Sequence, residues 1–141
     1  MAAMIDGSVA RALYDAGIRW QPANGDWFCL FDDTSEPWLI APGAVELALL
    51  DGSPALLFHG ASEWALDSVL AYEALWLPSE TQVRELLMNT LGSQAVIQIE
   101  VWAQGTRCRV QVADWRYEAS STQAVDAYAL VLLAAMQNVR A

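Results

Sequence analysis

The chain has 141 residues, the length of one ordinary domain, and its 55% hydrophobic against 17% charged residues exclude a disordered protein. Its net charge of −10, with no lysine at all, excludes the clustered cations that bind a phosphate backbone, so no nucleic acid partner is expected. The longest nearly uncharged apolar run, residues 127–136, is about half as long as a membrane-spanning helix. We therefore expect no membrane association and a cytoplasmic location.

The first predicted element is a short amphipathic helix in the segment SVARALYDAG. Ser8 suits the N-cap, because its hydroxyl accepts hydrogen bonds from the exposed backbone N–H groups of a first turn. Val9, Leu13 and Ala16 form one apolar stripe, and Gly17 suits the left-handed residue that follows a helix.

Four strands are predicted after this helix, in residues 27–31, 37–41, 45–50 and 54–59, which are rich in aromatic and branched side chains. The last two flank Asp51-Gly52, a dipeptide that favours a tight hairpin turn because both residues tolerate a positive φ. The turn predicts that Leu50 faces Ser53, Leu47 faces Leu56 and Val45 faces Phe58.

The segment GASEWALDSVLAYEALW has two interpretations. Its alanine, leucine and glutamate content favours a helix, while the alternation of Trp64 and Leu66 with polar neighbours is typical of a strand. We predict a helix from about Asp67 to Trp76, because the proline after Leu77 disfavours helical geometry in the residue before it.

A second helix start follows in PSETQVRELL. Ser79 and Gln82 have the spacing of a capping box, in which each side chain binds a backbone N–H of the other residue. Glu80 adds a negative charge to the first turn, where the helix dipole is positive. The apolar spacing that follows predicts a helix that ends at Gly92.

The clearest local pattern is a β-hairpin in the segment AVIQIEVWAQGTRCRVQVA. A turn at Gln104-Gly105 places large apolar residues on one face and polar residues on the other, so the turn and the pattern specify one register. The apolar face pairs Val101 with Cys108, Ile99 with Val110 and Ile97 with Val112. The other face pairs Trp102 with Arg107, Glu100 with Arg109 and Gln98 with Gln111. The two arginines thus gain a cation–π contact and an ion pair.

The last elements are a strand in residues 115–119 and a helix capped by Ser121 or Thr122. This helix has Asp126 as its only charge over about four turns, and a helix that is apolar around nearly its whole circumference must be buried on several sides. We expect it to pack on the sheet and to contribute to a contact between subunits.

Together the elements predict a single α+β domain over residues 1–141, an antiparallel β-sheet with flanking helices in the rough order α-β-β-β-β-α-α-β-β-β-α. A domain of this size cannot cover so many large apolar side chains, so a homodimer is expected. The predicted subunit contact lies on the last helix, at Tyr128, Leu132, Leu133 and Met136.

Few residues suggest reaction chemistry. His59, Glu63 and Asp67 have four-residue spacing and would share one helical face, so they are candidate metal ligands. The chain has no phosphate-binding loop, serine-nucleophile motif or dinucleotide fingerprint, so no catalytic residue and no cofactor is assigned. Cys29 and Cys108 occur in apolar runs and are predicted to be buried and reduced.

The negative charge is concentrated in the first part of the chain. Residues 1–75 carry eleven acidic residues against two arginines, a net −9, while residues 76–141 carry six against five, a net −1. This asymmetry predicts a basic protein partner for the acidic half. The alternative interpretation is that the charge only keeps an apolar protein in solution.

Three segments together carry a family resemblance: GIRWQPANGDWF, GASEWALDSV and EALWLPSETQVRELL. They resemble a family of small, uncharacterised bacterial proteins with EWALDS and LWLP-x-E-x-Q-x-RELL motifs, some of which are labelled pilus assembly proteins. The resemblance covers most of the chain up to Leu87 and the apolar last helix. It implies no catalytic residues, because none is established for that family.

In architecture, the predicted order of helices and strands resembles the secretion-chaperone class of α+β proteins. We therefore expect a non-catalytic protein-interaction or chaperone-like domain that acts as a homodimer and binds a basic partner through its acidic half. The alternative is a small-molecule-binding protein or hydrolase with a Trp-lined acidic pocket, since seven tryptophans are present.

Overall fold

A computed structural model describes residues 4–59 and 68–140 of the chain. These residues form three α-helices and three small antiparallel sheets, which confirms the predicted α+β class. The helices are α1 (Gly7–Asp15), α2 (Glu80–Leu91) and α3 (Ala124–Arg140). The strands are β1 (Trp27–Leu30), β2 (Asp33–Leu39), β3 (Val45–Leu50), β4 (Ser53–Phe58), β5 (Ser68–Leu70), β6 (Ala74–Leu77), β7 (Val96–Trp102), β8 (Gly105–Val112) and β9 (Trp115–Ser121).

The chain divides into two compact units. The terminal unit comprises Met1–Gly17 and Pro78–Ala141, and it contains all three helices and the sheet with strand order β7-β8-β9. The central unit comprises Ile18–Leu77 and contains two sheets, with strand orders β2-β1-β6 and β3-β4-β5.

Helix α3 organises the terminal unit. It packs against β8 and β9, and both α1 and α2 pack against it. Residues 125–129 are all buried, which confirms the prediction of a helix that is covered on several sides. Neither predicted cap residue directly precedes the helix, because Ser121 belongs to β9 and Thr122 lies two positions before Ala124, where the helix begins. Of the helices in the described residues, none combines the length and apolar character needed to cross a bilayer.

The N-cap of α1 is Asp6 and not the predicted Ser8. One carboxylate oxygen of Asp6 accepts hydrogen bonds from both the backbone N–H and the hydroxyl of Ser8, so the serine is a donor to the cap. A carboxylate is the stronger acceptor and also complements the helix dipole, which explains the choice. At the other end Gly17 has a φ of 111°, and this confirms its predicted left-handed position.

A buried carboxylate joins the starts of α1 and α3. Asp126 is 7% exposed, and its Oδ1 accepts a hydrogen bond of 2.9 Å from the backbone N–H of Asp6. Burial raises the pKa of Asp126, and the nearby negative charge of Asp6 raises it further, although the hydrogen bond opposes this shift. The ionised form of Asp126 is therefore disfavoured in the folded protein.

This raised pKa predicts a pH dependence of stability. Because the folded-state pKa of Asp126 lies above its unfolded value, its stabilising contribution is complete below the unfolded pKa and is lost as the pH rises through the folded pKa. Asp126→Asn keeps the acceptor oxygen but cannot ionise, so it is expected to stabilise the protein more at about pH 7 than at about pH 4. Urea unfolding at the two pH values measures the difference, with Asp114→Asn at an exposed position as the control. An equal effect of Asp126→Asn at both pH values would contradict the prediction.

The β7–β8 hairpin forms, but the predicted register is wrong by two residues. Trp102 pairs with Gly105, and the turn is Ala103-Gln104 instead of Gln104-Gly105. Because a shift of two residues preserves the faces of a strand, the apolar and polar sides are still those that were predicted. The contact predicted between Arg107 and Trp102 is confirmed, with the guanidinium carbon 5.6 Å from the ring centroid.

Gly105 lies close to the third strand of this sheet. A Cβ on Gly105 would lie only 2.5 Å from the backbone oxygen of Ser121 in β9. Glycine is therefore required at this position by the close approach of a neighbouring strand, and not by the turn. In the observed register Glu100 pairs directly with Arg107, and its carboxylate oxygens are 3.6 Å from Arg107 Nη1 and 3.8 Å from Arg109 Nη2.

The two sheets of the central unit share one apolar core. It is built around Phe28 of β1, Leu56 and Phe58 of β4, and Ile40 and Val45 on either side of the β2–β3 connection. The predicted β3–β4 hairpin is confirmed with its register, in which Val45 faces Phe58 and Leu47 faces Leu56. As predicted for this turn, Asp51 and Gly52 have φ values of 51° and 82°.

The helix predicted from about Asp67 to Trp76 is wrong over residues 68–76. This segment forms β5, one short 3₁₀ turn (Ala71–Glu73) and β6. Strand β6 pairs antiparallel with β1 and places Leu75 opposite Cys29, both buried. Pairing of β6 with β1, the central strand of its sheet, thus overrides the helical propensity of alanine, leucine and glutamate. The helix boundary at Asp67 itself lies outside the described residues.

Helix α2 begins as its sequence predicts. The Ser79 N–H donates to Gln82 Oε1 at 2.9 Å, and the Gln82 N–H donates to Ser79 Oγ at 3.2 Å, which confirms the capping box. The helix ends before Gly92, whose φ is 88°. Both ends of this helix are therefore specified locally.

Candidate functional site

Of the three candidate metal ligands, the structure describes only His59. Its Nε2 is 2.9 Å from Glu46 Oε2, while Glu63 and Asp67 lie outside the described residues. In residues 4–59 and 68–140 no three or more histidine, cysteine or carboxylate side chains form a group that could hold a metal ion. The proposed ligand set thus stays a prediction.

The contacts of His59 are those of a structural residue. Its backbone N–H donates to the Ala44 carbonyl at 2.7 Å, and its imidazole is paired with Glu46, which also accepts a 3.1 Å hydrogen bond from the Gly43 N–H. The Gly43 hydrogen bond and then the charge of His59 lower the pKa of Glu46. Together these contacts fasten the end of β4 to the loop before β3.

The two cysteines are unpaired and buried, as predicted. Burial raises the pKa of Cys29 to about 11, with a further contribution from the negative charge of Asp33. Burial alone raises the pKa of Cys108 to about 11. Both thiols are thus protonated near neutral pH and are poor nucleophiles.

The four residues of the predicted subunit contact differ in exposure. Tyr128 and Leu132 are buried within a single chain, whereas Leu133 and Met136 are half-buried. The Tyr128 hydroxyl donates to Glu80 Oε1 at 3.1 Å, and burial together with the Glu80 charge raises the pKa of Tyr128. Tyr128 and Leu132 thus contribute to the core of the terminal unit, and the predicted subunit contact on α3 stays a prediction.

The exposed large apolar side chains are concentrated on two strands, β3 and β7. Each of these strands is at the edge of its sheet, and each belongs to a different unit. An exposed edge strand with apolar side chains is a template for pairing with another chain, which folded proteins usually cover or interrupt. These edges are therefore the candidate functional surfaces of the molecule.

In the central unit, β3 borders an apolar groove. Leu49 is 70% exposed and Leu47 and Leu50 are also exposed. Leu47 and Leu49 line a groove of about 450 Å³, together with Trp20, Pro22 and Pro54. We call this surface the β3 groove. Among the described strands, only β4 pairs with β3, apart from isolated bridges at Val45.

The motif GIRWQPANGDWF builds one wall of the β3 groove. Asp26 is buried, and its Oδ2 accepts hydrogen bonds from Trp20 Nε1 at 2.9 Å and from the Ala23 N–H at 3.1 Å. These bonds fix the indole, which packs on Phe28 with a centroid distance of 5.6 Å. The Trp-x-Pro and Gly-Asp elements of the motif therefore have a structural role that positions an apolar surface.

The charge of the central unit is strongly negative. Its 60 residues carry nine acidic side chains against Arg19 alone, a net −8 of the total −10. Glu46 and Asp51 lie on β3 and in the turn that follows it, close in sequence to the groove leucines. The apolar groove thus belongs to a unit of strongly negative net charge.

Sequence reasoning did not identify this surface. It placed Leu47 opposite Leu56 on one apolar face, but it did not show that β3 is at the edge of its sheet. The available signal was the alternation in β3, VELALL, in which Val45, Leu47 and Leu49 form one apolar face.

No family model matches the chain, and neither the curated proteins nor the solved structures contain a match to it. Its function is therefore inferred from its own geometry.

Proposed function

We propose that the chain is a non-catalytic, cytoplasmic protein-interaction domain of chaperone-like type. Its central unit binds an extended apolar segment of another protein, and that segment carries basic residues. The observation that carries this proposal is the β3 groove, an exposed apolar edge strand in a unit of net charge −8.

The edge of β3 supplies the backbone contacts. Beyond Val45 its outward N–H and C=O groups have no strand partner among the described residues, so an extended segment can add to the sheet by main-chain hydrogen bonds. Alternate side chains of the added strand then lie on the face of Leu47 and Leu49 and reach the groove walls at Trp20 and Pro22.

The charge selects the partner. A segment with lysine or arginine between its apolar residues is attracted to the negative central unit, while an acidic segment is repelled. Arg19 is the unit's only arginine or lysine, so few cations oppose this attraction. Binding is consequently expected to weaken as salt screens the charges.

A synthetic peptide tests the proposal directly. The probe is a fluorescent peptide of about eight residues that alternates valine with arginine, a length suited to one strand. We expect it to bind, and we expect its affinity to fall about tenfold or more between about 0.05 M and 0.5 M salt, measured by fluorescence anisotropy. A peptide with glutamate in place of arginine should not bind.

Two variants of β3 provide the matched comparison. Leu49→Asp and Leu50→Asp add the same charge to the same strand, but the two side chains point to opposite faces and only Leu49 lines the groove. We expect Leu49→Asp to bind the arginine peptide about tenfold or more weakly than Leu50→Asp. Equal affinities of the two variants, or equal binding of the two peptides, would disprove the proposal.

The size of the β3 groove favours a second candidate function. Its volume of about 450 Å³ is within the range of small-molecule sites, and a tryptophan lines it. A small apolar ligand that co-purifies with the wild type and is absent from Leu49→Asp, detected by native mass spectrometry, would support this alternative. The side chain of Asp26 is held by Trp20 and Ala23, so it stabilises the groove wall in either case.

A further inference from the structure

The edge strand of the terminal unit is apolar on the face that should be covered. Ile97, Ile99 and Val101 of β7 face the same side as Cys108 and Val110 of β8, because directly paired residues share a face. Cys108 and Val110 are buried on a strand that packs against α3, whereas Ile99 is 39% and Val101 is 76% exposed. The apolar face of the β7-β8-β9 sheet is therefore covered by α3 at β8 and β9, and it remains exposed at β7.

A groove lies beside this uncovered strand. It has a volume of about 630 Å³ and is lined by Met88 and Gly92 at the end of α2 and by Ile97 and Ile99 of β7. Met88 is itself mostly exposed. The apolar side chains on this edge have no covering layer among the described residues. Strand β7 also lacks the proline or bulge that commonly protects an edge strand, since all seven of its residues pair regularly with β8.

The sequence of β7 is symmetric in polarity about its central residue. If β7 pairs antiparallel with a second copy of itself around Ile99, Ile97 faces Val101, Gln98 faces Glu100, and Val96 faces Trp102. Every apolar residue then meets an apolar residue and every polar residue a polar one, over the full length of the strand. An interface with an unrelated chain does not require such symmetry, whereas a two-fold interface does.

We propose that two copies of this chain form a dimer by antiparallel pairing of their β7 strands, which joins the two β7-β8-β9 sheets into one sheet of six strands. The two-fold axis is perpendicular to the sheet, so the uncovered apolar faces of both β7 strands lie side by side between the two α2 helices. Both grooves beside Met88 become one shared apolar region.

The charges of β7 are compatible with this dimer. Glu100 is the only charged residue of the strand, and Arg107 and Arg109 of the same chain lie 3.6 and 3.8 Å from its carboxylate. Its negative charge is thus compensated before the second copy approaches, and the amide of Gln98 faces it across the interface. The surface differs from the β3 groove, and the dimer does not depend on that groove's function.

Two substitutions on opposite edges of the same sheet form the first test. Ile99 on β7 and Tyr117 on β9 are 39% and 42% exposed and face the same side. Analytical ultracentrifugation over a concentration series should show wild-type protein at twice the chain mass of 15.4 kDa. We expect Ile99→Asp to weaken the dimer by about 100-fold or more, and Tyr117→Asp to change it by less than about threefold.

A cross-link tests the register without loss of stability. Across the two-fold axis Ile99 faces the same residue of the second copy, at a Cα separation of about 4.5–5.5 Å that a disulfide spans. With oxidised glutathione as the oxidant, Ile99→Cys should form a covalent dimer and Tyr117→Cys should not. Both variants are made in a Cys108→Ala background, because Cys108 pairs directly with position 99 of the same chain and would otherwise form a competing disulfide, while Cys29 is buried.

Several outcomes would overturn the proposal. These are a wild type that stays monomeric at all concentrations, equal effects of Ile99→Asp and Tyr117→Asp, or no cross-link in Ile99→Cys. Loss of the dimer in Leu133→Asp but not in Ile99→Asp would also overturn it and would instead assign the contact to α3. Leu49→Asp should leave the dimer intact, so a failure of the β3 groove proposal is distinguishable from a failure of this one.

Discussion

Replacement of Leu132 by alanine is expected to lower the free energy of unfolding by about 2–5 kcal/mol. Leu132 is 0% exposed on α3, the helix against which α1, α2, β8 and β9 all pack. Removing its side chain leaves a cavity where several elements meet, and each of them would have to move to fill it. Urea unfolding followed by far-UV circular dichroism measures the loss.

The neighbouring leucine is a matched control. Leu133 is on the same helix and is half-buried, so Leu133→Ala removes the same atoms but leaves a smaller cavity. We expect a loss of less than about 1.5 kcal/mol. If Leu133→Ala destabilises the protein as much as Leu132→Ala, then the orientation of α3 differs from the one described.

Replacement of Phe28 by alanine is expected to cost about 3–5 kcal/mol in the free energy of unfolding. Phe28 is fully buried in the central unit, with ring centroids 5.6 Å from Trp20 and 6.0 Å from Phe58. The truncation removes the ring that both neighbours contact, so it costs aromatic contacts as well as buried area. Urea unfolding followed by the summed fluorescence of the seven tryptophans measures the loss.

An exposed aromatic residue of the central unit provides the comparison. Tyr72 is 66% exposed in the 3₁₀ turn, and Tyr72→Ala should change the free energy of unfolding by less than about 0.5 kcal/mol. A loss for Phe28→Ala no larger than this would show that Phe28 is not at the centre of the core.

The features that were predictable from the sequence are those whose partners are close along the chain. The capping box joins Ser79 to a residue three positions later, and the Asp51-Gly52 turn fixes a hairpin whose strands are adjacent in sequence. In both cases the local chemistry allows one arrangement, and the same arrangement is observed.

The features that failed depend on distant residues. Gly105 was interpreted as a turn residue, yet the atom that requires a glycine there belongs to Ser121 in another strand. The stretch from Ala74 to Leu77 has helical propensity, but it forms β6, whose partner β1 begins more than forty residues earlier, at Trp27. Neither the approach of Ser121 to Gly105 nor the pairing of β6 with β1 can be predicted from residues that are close along the chain.

The two exposed edge strands, β3 and β7, could not be predicted from the sequence for a related reason. Leu49 and Leu132 look alike in a hydropathy pattern, since both are leucines in apolar runs. The structure leaves the first 70% exposed and the second fully buried, because one is on an edge strand and the other is on the central helix of its unit. Only the strand order distinguishes a core residue from a contact surface.

The bond between the starts of α1 and α3 has a consequence for biosynthesis. The backbone N–H of Asp6 and the carboxylate of Asp126 are 120 positions apart, so α1 emerges from the ribosome long before its packing partner is translated. The central unit is one uninterrupted stretch of chain and is complete much earlier. During translation Ala10 and Leu13 of α1 are therefore without α3, and the nascent terminal unit closes only after the central unit has been made.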